Sequence, residues 1–180
     1  MSRLQRPFVP VKAPRRLIAR ALGSLLIFCA LQLSWQALQG TSLEHFIIHD
    51  CTVRPAALLA NILTPGVGAQ AVEFRLQAPG GGLNILNGCE GTETLLLLLA
   101  AFAVAPLSWA SRGTGLLWGI LVVFCINQAR ILVLFYAFRR DHALFDSLHS
   151  LVTPIAVVLL VAGYFYGWLA HADRKLSAAV

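Results

Sequence analysis

The sequence predicts an all-α membrane protein of about four transmembrane helices, whose extracytoplasmic loop holds an amphipathic helix and a small β-hairpin. Three observations predict it: 58% of the 180 residues are hydrophobic, only 12% are charged, and the apolar residues fall in long blocks. A soluble domain of this size is about a quarter charged. A helix needs roughly 20 apolar residues to cross the hydrocarbon core. Residues 17–38 run apolar with Arg20 as the only charge, residues 116–138 with Arg130 alone, and residues 151–169 with none. Residues 94–109 are shorter but uncharged, with five consecutive leucines, and are taken as the remaining span. No repeat or linker divides the chain, so residues 1–180 are expected to form a single transmembrane domain.

The net charge of +6 does not indicate nucleic acid, because of where the charge lies. Arg3, Arg6, Lys12, Arg15, Arg16 and Arg20 crowd the start of the chain with no acid among them. This is the positive-inside signature, which makes residues 1–16 a basic cytoplasmic tail and the bilayer the partner. The first apolar block is long for a signal-peptide core and lacks a small-x-small cleavage site, so an uncleaved anchor is expected. Alternating the spans puts residues 111–115, Arg174 and Lys175 inside. It puts residues 40–91 and 139–149 outside, with nine basic residues inside against four outside. The expected location is the cytoplasmic (inner) membrane, with multiple passes and the functional face outward.

The outer loop, residues 40–91, has its own pattern. Thr41-Ser42-Leu43-Glu44 matches a capping box and starts a helix. Pro55 allows a break, and Leu58, Leu59, Ile62 and Leu63 repeat at helical spacing. Glu44, His45, His49, Asp50 and Arg54 mark the element as interfacial rather than a fifth span. Val72, Phe74 and Leu76 alternate with Glu73, Arg75 and Gln77 as one strand. Pro79-Gly80-Gly81-Gly82 turns the chain, and Leu83-Asn84-Ile85 returns.

Cys89 follows, at the N-terminus of the second span, between Gly88 and Gly91, which let a substrate backbone come close. The helix dipole is expected to lower its thiol pKa, while Glu90 and Glu93 oppose the thiolate and call for a positive partner. Arg130 is that partner. It lies within the third span, about 12 Å below the outer end at about 1.5 Å per residue, with Asn127 on the same face. An ionisable residue at that depth normally faces the bundle interior. His149 opens the fourth span on the same side. A thiol, a guanidinium and an imidazole thus share one leaflet, the set needed for thiolate attack on a carbonyl, proton transfer and oxyanion stabilisation.

Asn87-Gly88-Cys89-Glu90-Gly91 resembles the Cys-x-Gly motif of exosortases and archaeosortases, with Glu90 where Ser or Thr is usual. Asn127-Gln128-Ala129-Arg130-Ile131 resembles their Asn-x-x-Arg motif, and His149 their third catalytic residue. The resemblance covers roughly residues 83–168 and implies a compact member of that family. It implies a cysteine peptidase or transpeptidase with Cys89, Arg130 and His149 catalytic and Asn127, Gly88 and Gly91 in support. Its partners would be proteins ending in a short motif, one transmembrane helix and a basic cluster. No cofactor and no metal are expected.

Competing readings remain open at this level. Cys51 and Cys89 share the outer loop and a disulfide between them would remove the nucleophile. His45 and His49 stand at i, i+4 beside Asp50 and Cys51, a spacing that zinc also uses, but no second ligand pair follows. Cys29 and Cys125 are read as packing residues, and Trp35, Trp109, Trp118 and Trp168 as interfacial anchors. The whole chain could instead be a non-enzymatic membrane scaffold. The recognition motif, the acceptor nucleophile and the oligomeric state are not encoded in any recognisable pattern.

Overall fold

The computed structural model describes residues 15–86 and 88–177. The expected basic tail, as far as residue 14, and Asn87 lie outside them. Helix α1 (Arg15–Ala37) is followed by a continuous helix, Ser42–Leu63. That helix consists of α2 (Ser42–His45), a π segment (Phe46–Val53) and α3 (Arg54–Leu63). Strands β1 (Gln70–Val72), β2 (Arg75–Ala78) and β3 (Gly81–Asn84) come next. Helices α4 (Thr92–Val104) and α5 (Trp109–Arg140) lead to α6 (His142–Ser147), a second π segment (Leu148–Val152) and α7 (Thr153–Ser177).

Among the described residues four helices are long and apolar enough to cross a membrane: Leu17–Ala37, Ser42–Leu63, Trp109–Arg140 and His142–Ala172. By length and composition this set differs from the expected one at two places. The block at residues 94–109 is helical only as α4, 13 residues long, because Pro106 forces Ala105 into extended backbone (φ −62°, ψ 144°). Residues 111–115, expected as a cytoplasmic loop, form the first turns of α5. The outer-loop helix, expected to be interfacial, meets the length and composition of a span.

Local chemistry explains the other departures. The capping box is not made: Glu44 accepts at 2.7 Å from the Gly40 N–H, one residue ahead of the N-cap, and the Thr41 hydroxyl turns back to the Leu38 carbonyl instead of the helix. Pro55 does not break the helix. The preceding segment is π-helical, the Arg54 N–H reaching back five residues to the His49 carbonyl, and the Thr52 hydroxyl donates to the Ile47 carbonyl. The expected single strand from Val72 to Gln77 is two strands. Val72 pairs with Arg75 across a turn at Glu73 and Phe74, with Glu73 at φ 49°, so the sheet is a three-stranded meander rather than a hairpin. Pro79-Gly80 makes the second turn, Gly80 taking the positive φ (86°) that this position requires.

Two layers result, with α5 running through both. In the lower layer α4 packs on α1, and α4, the first half of α5 and α7 pack on one another. Phe102, Leu98, Val123, Val157 and Val161 form its core. In the upper layer the second half of α5 (Ile131, Leu134, Phe135) packs on α3 (Ala56, Ala60) and the sheet (Leu76, Leu83). Leucines of the lower layer such as Leu25, Leu26, Leu159 and Leu160 point outward. Cys29 and Cys125 are also exposed rather than packed, and Trp35 is buried rather than at an interface.

Candidate functional site

The seam between the layers is where α5 turns from packing on α4 to packing on the sheet. Asn127 and Arg130 stand there one turn apart on α5, facing the loop that joins β3 to α4. Asn127 Nδ2 donates to the Glu90 carbonyl at 2.9 Å and Arg130 Nη1 to the Gly88 carbonyl at 3.2 Å. The two side chains thereby hold the loop on either side of Cys89. Gly91 completes the fit. Its φ of 86° is left-handed, and a Cβ there would stand 2.9 Å from Asn127 Cγ. Gly88 also has a positive φ (91°) but faces open space, with nothing nearer than the Glu93 carboxylate at 3.8 Å.

The three residues predicted from sequence meet at the sulfur. Arg130 Nη2 lies 3.8 Å from Cys89 Sγ and His149 Nδ1 lies 4.0 Å from it. His149 sits in the π segment ahead of α7, and its ring stacks on Phe145 (centroids 5.3 Å apart, 11° between planes). Phe145 is braced in turn by Phe138 edge-on at 5.4 Å. Arg130 Nε donates to Thr153 Oγ1 at 3.3 Å, which ties the guanidinium to α7. All four cysteines are free thiols, so the weighed bridge between Cys51 and Cys89 is not formed.

Electrostatics correct one expectation. The Cys89 thiol is pushed above its ordinary value, not below it. Burial is the largest cause. Arg130 pulls the other way, and Glu90 and Glu93 add to the rise. The helix dipole helps little because the N-cap of α4 is Gly91, two residues beyond Cys89, and the Cys89 N–H is spent on the Leu86 carbonyl (2.9 Å). Burial therefore favours the thiol over the thiolate at this sulfur.

Glu90 is buried at 6% exposure, and neither carboxylate oxygen meets a hydrogen-bond partner among the described residues. Burial raises its pKa. The backbone N–H groups of Glu90 and Gly88 and the Trp35 indole oppose that rise without reaching bonding geometry. Glu90 lines a cavity of about 240 Å³ with Thr52, Asn127 and Gln128 on the side of the loop away from His149. On the near side a cleft of about 480 Å³ is lined by Arg75, by β3 through Leu86, by Ile131, Leu134, Phe138 and Phe145, and by Cys89 and His149. A larger hollow of about 700 Å³ on the outer face of the sheet holds no nucleophile.

Sequence reasoning missed three participants. Thr153 follows His149 by one helical turn and was hidden as an ordinary span residue. Phe145 reads as apolar filler. Gln128 adjoins Asn127 within an apolar span and donates to the Thr52 carbonyl at 3.3 Å, so its polarity was the signal. His45 and His49 stack on each other (4.9 Å) and both turn to Glu73, His45 to its carboxylate at 3.3 Å and His49 to its carbonyl at 2.7 Å. Among the described residues no group of three or more His, Cys, Asp or Glu side chains is placed to hold a metal. No family model, curated protein or solved structure matches this chain.

Proposed function

We propose that the chain is a multi-pass membrane cysteine peptidase or transpeptidase of the exosortase type, which cuts proteins held by a C-terminal transmembrane anchor and passes on or hydrolyses the acyl product. One observation carries the reading: Cys89 Sγ lies between a permanent cation at 3.8 Å and an imidazole nitrogen at 4.0 Å, inside a cleft. His149 takes the thiol proton as the sulfur attacks the scissile carbonyl. Arg130 offsets the negative charge, first on sulfur and then on the tetrahedral oxygen, a contribution of about 3 kcal/mol per donor. Collapse breaks the C–N bond, the leaving amine takes the proton from His149, and a thioester remains on Cys89. Water or a second amine then attacks the thioester, gives its proton to His149 and regenerates the thiol.

The bilayer fits the lower layer, across α1, α4, the first half of α5 and α7. Although the Ser42–Leu63 helix is long and apolar enough to span, it packs on a sheet with open edges and charged residues, which hydrocarbon does not accept. That helix belongs at the outer interface. Helix α4 is about 20 Å long at 1.5 Å per residue. It falls short of a core of about 30 Å, which draws the loop bearing Cys89 below the outer surface, toward the level at which a substrate's own helix would emerge. The basic N-terminal tail supports an orientation with that surface on the extracytoplasmic side of the inner membrane.

Arg130 also gives a scaffold reading some footing, because two of its nitrogens hold structure, through the Gly88 carbonyl and Thr153. The two readings part under substitution. The enzyme requires that Cys89→Ala, Cys89→Ser and His149→Ala each leave anchored proteins uncleaved while the chain accumulates normally in the membrane. A scaffold requires that Cys89→Ser be silent and Arg130→Leu lower abundance. Normal processing by Cys89→Ala ends the enzyme reading.

A further inference from the structure

The edge of the sheet opens into the cleft that holds the thiol. Register decides which backbone groups that edge offers. Ala78 pairs with Gly81 across the second turn, Leu76 with Leu83, and the Ile85 N–H donates to the Phe74 carbonyl at 2.8 Å. In an antiparallel ladder, alternate residues turn both backbone groups to the same neighbour. Gly81, Leu83 and Ile85 therefore face β2, and Gly82, Asn84 and Leu86 face away. Gly82 is buried, whereas Asn84 and Leu86 are exposed. The Leu86 carbonyl is used by the Cys89 N–H. What remains is the N–H and C=O of Asn84 and the N–H of Leu86, without hydrogen-bond partners among the described residues. The other edge of the sheet differs. It runs beside α3, where Asn61 pairs with both backbone groups of Ala69 (2.8 and 2.9 Å), and it lies away from the thiol.

We infer that the β3 edge at Asn84 and Leu86 is the binding strand for the substrate: an extended segment just outside the substrate's membrane anchor adds to it as a fourth strand and so brings its scissile carbonyl to Cys89. The inference rests on the thiol-enzyme reading and specifies how that enzyme holds its peptide. Donors and acceptors spaced two residues apart, about 7 Å along a strand, are matched by another polypeptide backbone rather than by a lipid chain or a compact small molecule. Backbone pairing supplies affinity that does not depend on side chains. The apolar wall of Ile131, Leu134, Phe138 and Phe145 then takes alternate side chains of the added strand. The bond from the Cys89 N–H to the Leu86 carbonyl holds the nucleophile at the end of this row.

Proline at position 84 tests the pairing directly. It removes only an outward N–H, leaves the bonds to β2 intact, and is a residue that edge strands accept. The substrates to follow are the anchored membrane proteins whose size differs between cells carrying the wild-type chain and cells carrying Cys89→Ala. Asn84→Pro is expected to slow their processing about tenfold or more relative to Asn84→Ala, which loses the same side chain but keeps the N–H. The rate at which iodoacetamide labels Cys89, with Cys29, Cys51 and Cys125 replaced by serine, should be equal in all three. Wild-type processing by Asn84→Pro overturns the strand pairing and leaves the thiol enzyme standing. Wild-type processing by Cys89→Ala removes the enzyme itself. Should Asn84→Pro fail to accumulate, p-benzoylphenylalanine at position 84 decides. Its crosslinks must map to the few residues outside the C-terminal helix of a processed protein, and crosslinks confined to that helix, or none, refute the pairing.

Discussion

The lower layer and the upper layer are held together by different means, and the site lies where they meet. Below, α5 approaches its neighbours through glycines. A Cβ at Gly115 would stand 2.6 Å from both Phe102 and Trp168, and one at Gly119 2.7 Å from Leu98. Tyr164 and Trp168 donate to the α5 carbonyls of Gly115 and Ser111. Close backbone approach with interhelical hydrogen bonds is how helices associate where surrounding lipid is as apolar as the side chains. Above, Val53, Leu76, Ile85, Leu134 and Phe135 are buried from three kinds of element, as in the core of a water-soluble domain. A charged residue on α5 would be costly in the first setting and exposed in the second. At the seam Arg130 reaches a carbonyl from the loop above and a hydroxyl from the helix below, and still faces the sulfur.

The largest expected effect follows from that contrast. Leu76 and Leu98 are both almost fully buried, one in each layer. Leu76→Ala should cost about 3 to 5 kcal/mol, as in soluble cores, because water surrounds the upper layer in the unfolded state. Leu98→Ala should cost about half of that or less, since in lipid only dispersion and packing are lost. Unfolding in mixed micelles followed by a near-ultraviolet signal measures both. Equal costs would place the two layers in the same solvent and undo the bilayer position proposed for α4.

Legibility in the sequence followed the same division. The blocks that became α1, α5 and α7 were plain because runs of apolar residues encode a span almost by themselves. The three site residues were legible because a thiol between glycines, a lone arginine in an apolar run and a histidine at a span entrance each stand out. What was hidden depended on partners far away in the chain. The break at Glu73 and Phe74 lies inside a perfect alternation of apolar and polar residues, and only the pairing of Val72 with Arg75 imposes it. The end of α4 was in fact written, in Pro106, but outweighed by the apolar run through it. The direction of the Cys89 shift was lost because the dipole argument is local, whereas burial comes from α5 and from the segment ahead of α7.

A smaller effect separates the two glycines of the loop, which share a left-handed backbone but not a neighbour. Gly91→Ala meets Asn127 at 2.9 Å, so it should displace the loop and part the sulfur from Arg130 and His149. Gly88→Ala meets nothing nearer than 3.8 Å. Both should lose about 1 to 2 kcal/mol of stability from the backbone alone. Only Gly91→Ala should also lose about a hundredfold in processing, and Gly91→Ala combined with Asn127→Gly, which removes the obstructing side chain, should recover little of it because the bond to the Glu90 carbonyl goes too. Thermal melting and a processing time course distinguish strain from displacement. Equal activity in the two alanine variants would show that the contact with Asn127 does not set the position of Cys89.

The smallest effect is the most specific to the seam. Glu90 is enclosed without a hydrogen-bond partner among the described residues, and its folded pKa is raised above the ordinary 4.5, mainly by burial. The protonated form is therefore the one that suits the fold. At pH below 4.5 both folded and unfolded chains hold the proton and the carboxyl costs nothing. As the pH rises through the window between 4.5 and the raised value, the unfolded chain releases its proton first, and the fold loses stability until the native carboxyl has ionised. Glu90→Gln keeps the shape and cannot ionise. It should match the wild type at pH 4 and melt a few degrees higher at pH 8. It should also let iodoacetamide label Cys89 at lower pH than in the wild type, because a negative charge that opposes the thiolate has gone. The two readouts test different links: an unchanged melting difference across pH would mean that Glu90 is solvated, and an unchanged labelling profile would mean that burial and Arg130 alone set the thiol.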